Sequence, residues 1–325
     1  MLTSRVFTGH CGASFWEPIE SSYMAVQLRS GAALVHPEAG KILPGEEVGG
    51  DTYRNLELVA HYASLDYLTP CERLVFDSYL KPGMTILDVG VGGGRTTPHL
   101  SGKASRYVGV DSSEEMIRAC RSKFPALRFL TADASDLAVF ADESFDAIVI
   151  AFNGLDCLFP KDKRWQGLRE FGRVLRPGGV LLFSSHNPRS ILVRPAWSQE
   201  RLRAFTMRVV SEKSFMFGPT LFALKVAKAG HSWLRAMAGS AWRIPRRVTS
   251  AAFWRGEGYL FDAADGGRMT HHWTPQRVTE ELTRFDFRFE TALGDDYPRR
   301  SGKFVTDWYY YVFSKARIPT GKPCA

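Results

Sequence analysis

The sequence predicts an α/β fold, a sheet with helices on both faces, on the basis of two observations. Short apolar segments with the composition of buried strands alternate along the chain with segments of helical periodicity. The first of these strands, residues 86–89, leads into a turn that holds Gly90, Gly92 and Gly94, and a helical segment follows. Strand, glycine-rich turn and helix in this order are typical of nucleotide-binding α/β units.

The glycine-rich turn has the properties of a ligand site. Because its three glycines lack Cβ atoms, a ligand can approach the backbone closely. The helix that follows directs unpaired N–H groups and the positive end of its dipole at the turn. Such a turn suits the polar, partly anionic end of a nucleotide-like cofactor, although a glycine turn considered alone can also serve tight packing.

The spacing of the glycines distinguishes between cofactors. A dinucleotide site has the pattern G-x-G-x-x-G with an acidic residue about 20 residues later. Arg95 stands here where the third glycine of that pattern would be, and Asp88 precedes the first glycine by two positions. The resulting D-x-G-x-G-x-G pattern resembles motif I of the class I S-adenosylmethionine-dependent methyltransferases.

Further strands follow in the order typical of this family. They are predicted over residues 107–111, 128–134, 144–153, 180–184, 285–293 and 308–314. A helix over residues 168–175 ends at a Pro-Gly-Gly sequence before the fifth strand. The resemblance covers residues 53–187 and 271–315. It implies a Rossmann-like, seven-stranded mixed sheet whose last two strands form an antiparallel hairpin.

The resemblance also implies S-adenosyl-L-methionine as the cofactor. Asp111, where the second strand ends, would accept hydrogen bonds from the ribose hydroxyls, and Asp133 would bind the adenine amino group. Arg95 would pair with the cofactor carboxylate, contact Asp111 or face solvent, and Tyr62 would lie near that carboxylate or only pack. The full set of predicted cofactor residues is Tyr62, Asp88, Gly90, Gly92, Gly94, Arg95, Asp111, Ser112, Met116, Asp133, Ala134 and Asn153.

Catalytic candidates lie at the ends of the fourth and fifth strands. Methyl transfer requires alignment of the reacting groups and, for a hydroxyl acceptor, removal of a proton, so few residues are needed. Asn153 and Asp156 follow the fourth strand, unless Asn153 only caps a helix. His186 follows the fifth strand, where a neutral imidazole would take a hydroxyl proton or only bind a backbone carbonyl. His271 and His272 are further candidates, and no pair has metal-ligand spacing, so no metal is expected.

The chain is predicted to consist of a core with two additions. Residues 1–50 form an N-terminal extension, residues 51–187 and 271–318 form the methyltransferase core, and residues 188–270 form a basic helical insertion that caps the site. Residues 188–250 contain twelve Arg and Lys but only two Glu. This charge is either solvated surface, a site for an anionic acceptor such as a nucleotide sugar or lipid-pyrophosphate-linked glycan, or a contact with an anionic membrane face.

The composition excludes several classes of protein. A hydrophobic fraction of 45% and a charged fraction of 23% are ordinary for a globular chain. No apolar run reaches the ~18–20 residues of a membrane span, and the first residues lack the apolar region of a secretory signal. The five cysteines show no C-x-x-C spacing, which favours a reducing cytoplasm over a disulfide framework. Nucleic acid is a disfavoured partner because no recognised binding motif is present.

The function predicted from these observations is methylation of a hydroxyl on a small metabolite or sugar-containing acceptor, by in-line displacement. Residues 152–158 and 183–187 look like those of a bacterial subgroup associated with polysaccharide or secondary-metabolite biosynthesis. An N-methyltransferase acting on an amine and a cofactor-binding subunit without catalysis are the alternatives. The sequence does not identify the acceptor.

Overall fold

The computed structural model describes residues 56–191, 248–262, 268–299 and 301–316. Its α-helices are α1 (Leu56–Ser64), α2 (Pro70–Tyr79), α3 (Thr97–Lys103), α4 (Glu114–Lys123), α5 (Lys161–Val174), α6 (Ala251–Arg255) and α7 (Pro275–Thr283). Its strands are β1 (Met84–Val89), β2 (Ala104–Asp111), β3 (Arg128–Thr131), β4 (Phe145–Ile150), β5 (Leu175–His186), β6 (Glu257–Asp262), β7 (Arg268–Trp273), β8 (Phe287–Gly294) and β9 (Trp308–Lys315). A 3₁₀ helix spans Gly154–Cys157.

Within the described residues, nine strands form one mixed sheet. Strands β3, β2, β1, β4 and β5 lie side by side in that order and are parallel. Strand β9 then pairs antiparallel with both β5 and β8. These seven strands correspond to the seven that the sequence predicts, including the closing antiparallel hairpin, so the predicted fold class is confirmed.

Two additional strands form a hairpin that the sequence does not predict. Strands β6 and β7 pair antiparallel, and β7 joins β5 through His186 and His272. Because β9 occupies the opposite edge of β5 at the same residue, the hairpin lies on the β4 side, past the end of β4. Residues 257–262 and 268–270 are therefore strands of the sheet and not part of a helical insertion.

Both faces of the sheet are buried, which explains the apolar composition of its strands. Alternate residues of a strand point to opposite faces. Leu87 of β1 accordingly packs in one core with Leu168 of α5 and Val278 of α7, and Ile86 packs in a second core with Val75 of α2. Helices cover both faces, as predicted.

Helices α2 and α4 begin at side-chain caps. Thr69 and Glu72 form a capping box at the start of α2, with Pro70 in the first turn. Ser113 caps α4 by accepting a hydrogen bond from the N–H of Met116.

None of the helices in the described part has both the length and the apolar character needed to cross a bilayer. The predicted roles of residues 1–50 and of the basic insertion over residues 192–247 lie outside the described residues.

Candidate active site

The glycine-rich turn is open on one side and closed on the other. Gly90 and Gly92 have φ angles of +68° and +53°, and a Cβ atom on either would meet nothing within 4 Å. Left-handed backbone and free space beside it make glycine the suitable residue at both positions. On the closed side, a Cβ on Gly93 would lie 2.3 Å from the backbone nitrogen of Ala63 and 2.4 Å from the carbonyl carbon of Tyr62. Helix α1 is therefore packed directly on the turn.

We expect Gly93→Ala to lower the free energy of unfolding by about 1–3 kcal/mol, the usual cost of overpacking. The added methyl group would meet backbone atoms of α1, which cannot move away without displacing that helix. Gly102→Ala is the matched control, because a Cβ at Gly102 in α3 meets nothing within 4 Å, and it is expected to be neutral or slightly stabilising. Equal denaturation midpoints for the two variants would contradict the close packing of α1.

Asp111 lies at the end of β2 and connects two structural elements. Its Oδ2 accepts a hydrogen bond from the N–H of Gly92, and its Oδ1 accepts one from the N–H of Ser113, both at 2.9 Å. The half-buried carboxylate is thus fixed between the glycine-rich turn and the start of α4. Next to it, Ser112 is exposed and Met116 is buried. A carboxylate is the kind of group that accepts hydrogen bonds from hydroxyls.

Asp133 is held at the loop after β3. Its Oδ1 accepts from the N–H and the hydroxyl of Ser135, and its Oδ2 lies 2.7 Å from Nζ of Lys163 on α5. Partial burial would raise the pKa of Asp133, but the hydrogen bonds from Lys163 and Ser135 outweigh burial and lower it. Asp133 is therefore ionised at neutral pH, beside half-buried Ala134.

Asp88 is fully buried beneath the turn. Its Oδ2 accepts hydrogen bonds from the hydroxyls of Thr96, at 2.9 Å, and Tyr107, at 2.8 Å. Burial raises the pKa of Asp88 to about 6, although these hydroxyls and Arg95 oppose the rise. Asp88 thus links the start of α3 to β2 and supports the turn from inside the protein. Its own side chain is not exposed to a ligand.

The raised pKa of Asp88 predicts a pH-dependent loss of stability. The folded protein binds this proton more tightly than the unfolded chain, so the stabilisation is present below pH 3.8 and is lost as pH rises towards 6. A pKa of about 6 in place of 3.8 corresponds to about 3 kcal/mol. Over this interval, the free energy of unfolding of the wild type should fall by up to that amount relative to Asp88→Asn. Parallel pH profiles of the two proteins in urea denaturation would contradict the assignment.

Arg95 has a different partner from those predicted. Its guanidinium forms two hydrogen bonds with the carboxylate of Glu72, at 2.7 and 2.5 Å, and a third with the carbonyl oxygen of Tyr67. Both members of the pair are buried. Burial alone would raise the pKa of Glu72, but Arg95 and the hydroxyl of Tyr310 lower it. The charge of Arg95 is thus matched inside the protein, and we assign it a positioning role instead of binding to the cofactor carboxylate.

Sequence inspection missed Glu72 as the partner of Arg95. The T-x-x-E spacing from Thr69 is a signal for a capping box. It accounts for a glutamate at this position without indicating that its carboxylate also receives a guanidinium from the glycine-rich turn.

Arg95 also contacts the segment that follows β4. Its guanidinium carbon lies 4.0 Å from the ring centroid of Phe152, which is close enough for a cation–π interaction. Phe152 and Asn153 both have left-handed backbone, with φ angles of +52° and +59°. Two successive residues of this kind, neither of them glycine, are strained and are typical of functional sites.

A buried hydrogen-bonded cluster joins the ends of β4 and β5. Asp156 accepts hydrogen bonds from the N–H and from Nδ1 of His186, both at 2.8 Å, and from the hydroxyl of Ser185 at 2.5 Å. The side-chain amide nitrogen of Asn153 lies 3.1 Å from Nε2 of His186. Complete burial raises the pKa of Asp156, and the hydrogen bonds from His186 and Ser185 act against the rise. These hydrogen bonds connect three of the five predicted catalytic residues, Asn153, Asp156 and His186.

The hydrogen bonds of this cluster determine which ring nitrogen of a neutral His186 carries the hydrogen. The indole N–H of Trp273 donates to the hydroxyl of Ser185, so the hydrogen of that hydroxyl is directed at Asp156. With Asp156 as acceptor, Nδ1 of His186 carries a hydrogen, so in the neutral imidazole the lone pair is on Nε2. Ser185 and Trp273 were not predicted, although Ser185 directly precedes His186 in the sequence.

The two histidines of β7 differ because neighbouring strand residues face opposite sides. His272 stacks on His186 with a distance of 4.6 Å between the ring centroids, and its Nε2 is hydrogen-bonded to the hydroxyl of Thr270. His271 packs instead between Tyr259 and Trp273. Burial lowers the pKa of His271 to about 2, so it is neutral. His272 joins the cluster and His271 does not.

Part of the sequence is similar to methyltransferases. The family model "Methyltransferase domain" matches residues 86–179. A demethylmenaquinone methyltransferase of Clavibacter sepedonicus is 30% identical over 177 residues, which cover 52% of this chain and 70% of that protein. A fatty-acid O-methyltransferase of Mycolicibacterium smegmatis is 31% identical over 139 residues, which cover 42% and 48% of the two chains. Several other relatives are matched over about half of their own length.

A solved structure covers nearly the whole chain. It is the 1,6-didemethyltoxoflavin-N1-methyltransferase of Burkholderia thailandensis with bound 1,6-didemethyltoxoflavin and S-adenosylhomocysteine. It is 16% identical, has a TM-score of 0.48, and the match covers 94% of this chain and 93% of that one.

Proposed function

The chain belongs to the class I S-adenosylmethionine-dependent methyltransferases, and from this premise we propose that it methylates a hydroxyl group of a small-molecule acceptor. The observation that carries the proposal is the imidazole of His186, oriented by the buried carboxylate of Asp156. A lipid-like or a sugar-containing alcohol is the acceptor class that we favour. The names of the relatives support the lipid-like half of this proposal, since they include a fatty-acid O-methyltransferase and methyltransferases of demethylmenaquinone.

The residues of the turn fit S-adenosyl-L-methionine. Gly90 and Gly92 leave free space beside a left-handed backbone, and Asp111 presents a fixed carboxylate next to it. We propose that Asp111 holds the ribose hydroxyls and that Asp133, with the N–H of Ala134, holds the adenine. The cofactor supplies an electrophilic methyl group on a sulfonium. The protein has to align the acceptor with that group and remove its proton.

His186 is the proposed general base. Since Asp156 accepts the Nδ1 hydrogen, a neutral His186 has its lone pair on Nε2, and we propose that this atom takes the proton of an acceptor hydroxyl. The side-chain amide nitrogen of Asn153 lies 3.1 Å from this Nε2 in the structure, so we propose that the acceptor hydroxyl takes its place. The imidazolium formed is stabilised by Asp156, in the way that a buried carboxylate supports a catalytic histidine.

Carbon methylation of a hydroxylated ring is the second candidate. Several relatives are demethylmenaquinone methyltransferases, and another is named a ubiquinone/menaquinone C-methyltransferase. The same base would serve here, because loss of a ring hydroxyl proton makes the neighbouring ring carbon more nucleophilic. The site chemistry is shared by the two candidates, and the bond formed distinguishes them.

The test uses cofactor with a labelled methyl group and an extract of the source cells. Protein, nucleic-acid, lipid and aqueous fractions are separated after incubation, with Asp111→Ala as the control for cofactor-dependent transfer. Label in the lipid or aqueous fraction that hot hydriodic acid releases as methyl iodide supports O-methylation. Label that resists this treatment supports carbon or nitrogen methylation. Label in protein or nucleic acid would overturn the proposal.

A further inference from the structure

Two exposed aromatic side chains are held together on one buried ring. Trp254 of α6 is 69% exposed, and Phe304, in the loop between β8 and β9, is 41% exposed. The centroid of the buried Phe253 ring lies 5.2 Å from that of Trp254 and 6.4 Å from that of Phe304. We call Trp254 and Phe304 the aromatic patch. Large apolar side chains gathered at the surface in this way are typical of an interaction surface.

The aromatic patch lies at the same edge of the sheet as the candidate active site. Trp308, the first residue of β9, pairs with His186, the last residue of β5, so the loop before β9 is at the carboxyl end of β5. Glu257, the first residue of β6, pairs with Trp273, the last residue of β7, and β7 runs parallel to β5. Because α6 directly precedes β6, both parts of the patch come from the edge at which open α/β sheets bind their ligands.

The described ends of the basic insertion also contact the patch. Nε of Arg189, which follows β5, donates a hydrogen bond to the carbonyl oxygen of Phe253 at 3.2 Å. At the other end, the indole N–H of Trp254 donates to the carbonyl oxygen of Val248 at 2.7 Å. The sequence between these two contacts is the part of the chain that carries twelve Arg and Lys but only two Glu over residues 188–250. A strongly basic segment is therefore attached beside the exposed rings.

Each aromatic side chain of the patch has a basic neighbour in the chain. These neighbours are Arg255 and Lys303, and both are exposed. Asp296 and Asp307, in the loop that contains Lys303, instead accept hydrogen bonds from the hydroxyls of neighbouring residues. Positive charge beside exposed aromatic rings is complementary to a surface that is apolar inside and anionic at its boundary, as a lipid bilayer is.

We propose that the aromatic patch docks on an anionic lipid bilayer, with Trp254 and Phe304 at the acyl boundary and Arg255 and Lys303 among the headgroups. Aromatic rings favour this depth in a bilayer, and basic side chains are attracted to its anionic lipids. The purpose of docking rests on the proposed function and narrows its substrate class to a lipid-like acceptor. With this edge of the sheet against the bilayer, such an acceptor reaches His186 without passing through water.

The test is sedimentation of the full-length protein with vesicles of phosphatidylcholine, alone or in an equal mixture with phosphatidylglycerol. We expect binding to the mixed vesicles, and we expect Trp254→Ser combined with Phe304→Ser to weaken it by about 10- to 100-fold, since two apolar contacts are lost. Lys303→Gln should weaken binding to the mixed vesicles by about fivefold. Equal binding of the double variant and the wild type to the mixed vesicles would overturn the proposal.

The matched control removes two exposed apolar side chains that are not part of the patch. Val139 is 58% exposed and Phe289 is 40% exposed, so Val139→Ser combined with Phe289→Ser should bind the mixed vesicles as the wild type does. Loss of vesicle binding in this control would contradict a specific role of the patch.

Brominated phosphatidylcholine separates insertion of the patch from attraction by charge alone. Bromine on the acyl chains quenches the fluorescence of tryptophans that reach them, so quenching should be larger in the wild type than in Trp254→Phe. A dimer, or binding of a single-stranded oligonucleotide more tightly than of vesicles, would give the patch a different occupant if the double variant lost it. Either result would overturn the proposal.

Vesicle binding requires no turnover, so this proposal and the proposed function can fail separately. Vesicle binding through the patch without methyl transfer to any hydroxyl would contradict the proposed function and leave docking intact. Methyl transfer to a hydroxyl by a protein that binds no vesicles would contradict docking alone.

Discussion

Replacing His186 by alanine is expected to slow methyl transfer to a hydroxyl acceptor by about 10²- to 10⁴-fold, the usual contribution of a general base. The acceptor proton would then have no base to receive it, since Asp156 is fully buried behind the imidazole. The affinity for the cofactor should be unchanged, because the contacts of His186 described above are with Asp156, Asn153 and His272, which lie outside the glycine-rich turn. The measurement is the rate of label transfer at saturating cofactor, together with a calorimetric dissociation constant.

The control for this prediction is His99→Gln. His99 lies in α3 and pairs with Asp77, away from the cluster, so its replacement should leave the rate unchanged. If His186→Ala transferred the label as fast as the wild type, the base would have to be another group. A neutral amine as acceptor would produce the same result, and the hydriodic acid treatment of the product separates the two explanations.

The second large effect is expected on stability. Arg95→Met should lower the free energy of unfolding by about 3–5 kcal/mol, because it leaves the carboxylate of Glu72 buried without its partner. Methionine keeps an unbranched apolar stem but lacks the guanidinium, so the loss contains both a charge and a packing contribution. Urea denaturation followed by circular dichroism measures it.

Two further variants make this result interpretable. Arg118→Met removes a salt bridge with Glu115 in which the arginine is 65% exposed, and it should cost less than about 1 kcal/mol. Adding Glu72→Gln to Arg95→Met removes the isolated charge and should recover much of the stability. If the double variant were as unstable as Arg95→Met, packing and not charge would explain the loss.

The sheet could be predicted because its signals are local. Each of the seven strands is a short apolar segment, and the order of strand, glycine-rich turn and acidic strand end is visible along the chain. The hairpin of β6 and β7 escaped prediction for the opposite reason. Its strands contain Gly258, Asp262 and the polar residues of 270–272, and it joins the sheet through the pairing of β7 with the end of β5.

The site was predicted in position but not in contacts. The carboxyl ends of neighbouring parallel strands meet at one edge of a sheet, so Asn153, Asp156 and His186 could be expected together. The hydrogen bonds that form between them depend on the backbone angles at residues 152 and 153. No sequence pattern predicts a left-handed phenylalanine at position 152. The sequence analysis gave His271 and His272 the same role because it did not recognise their strand, in which the two side chains face opposite sides.

The support beneath the glycine-rich turn limits how that turn can be exchanged. A glycine-rich turn with its flanking strand and helix looks like a self-contained unit that could be exchanged between methyltransferases. In this chain that unit is held by contacts with residues that precede it. Glu72 of α2 binds Arg95, and the backbone of α1 at residues 62–63 packs on Gly93. A chimera that imports residues 84–103 from a relative without an arginine at position 95 would leave the carboxylate of Glu72 buried without its partner. The smallest unit that can be transplanted therefore begins with α1.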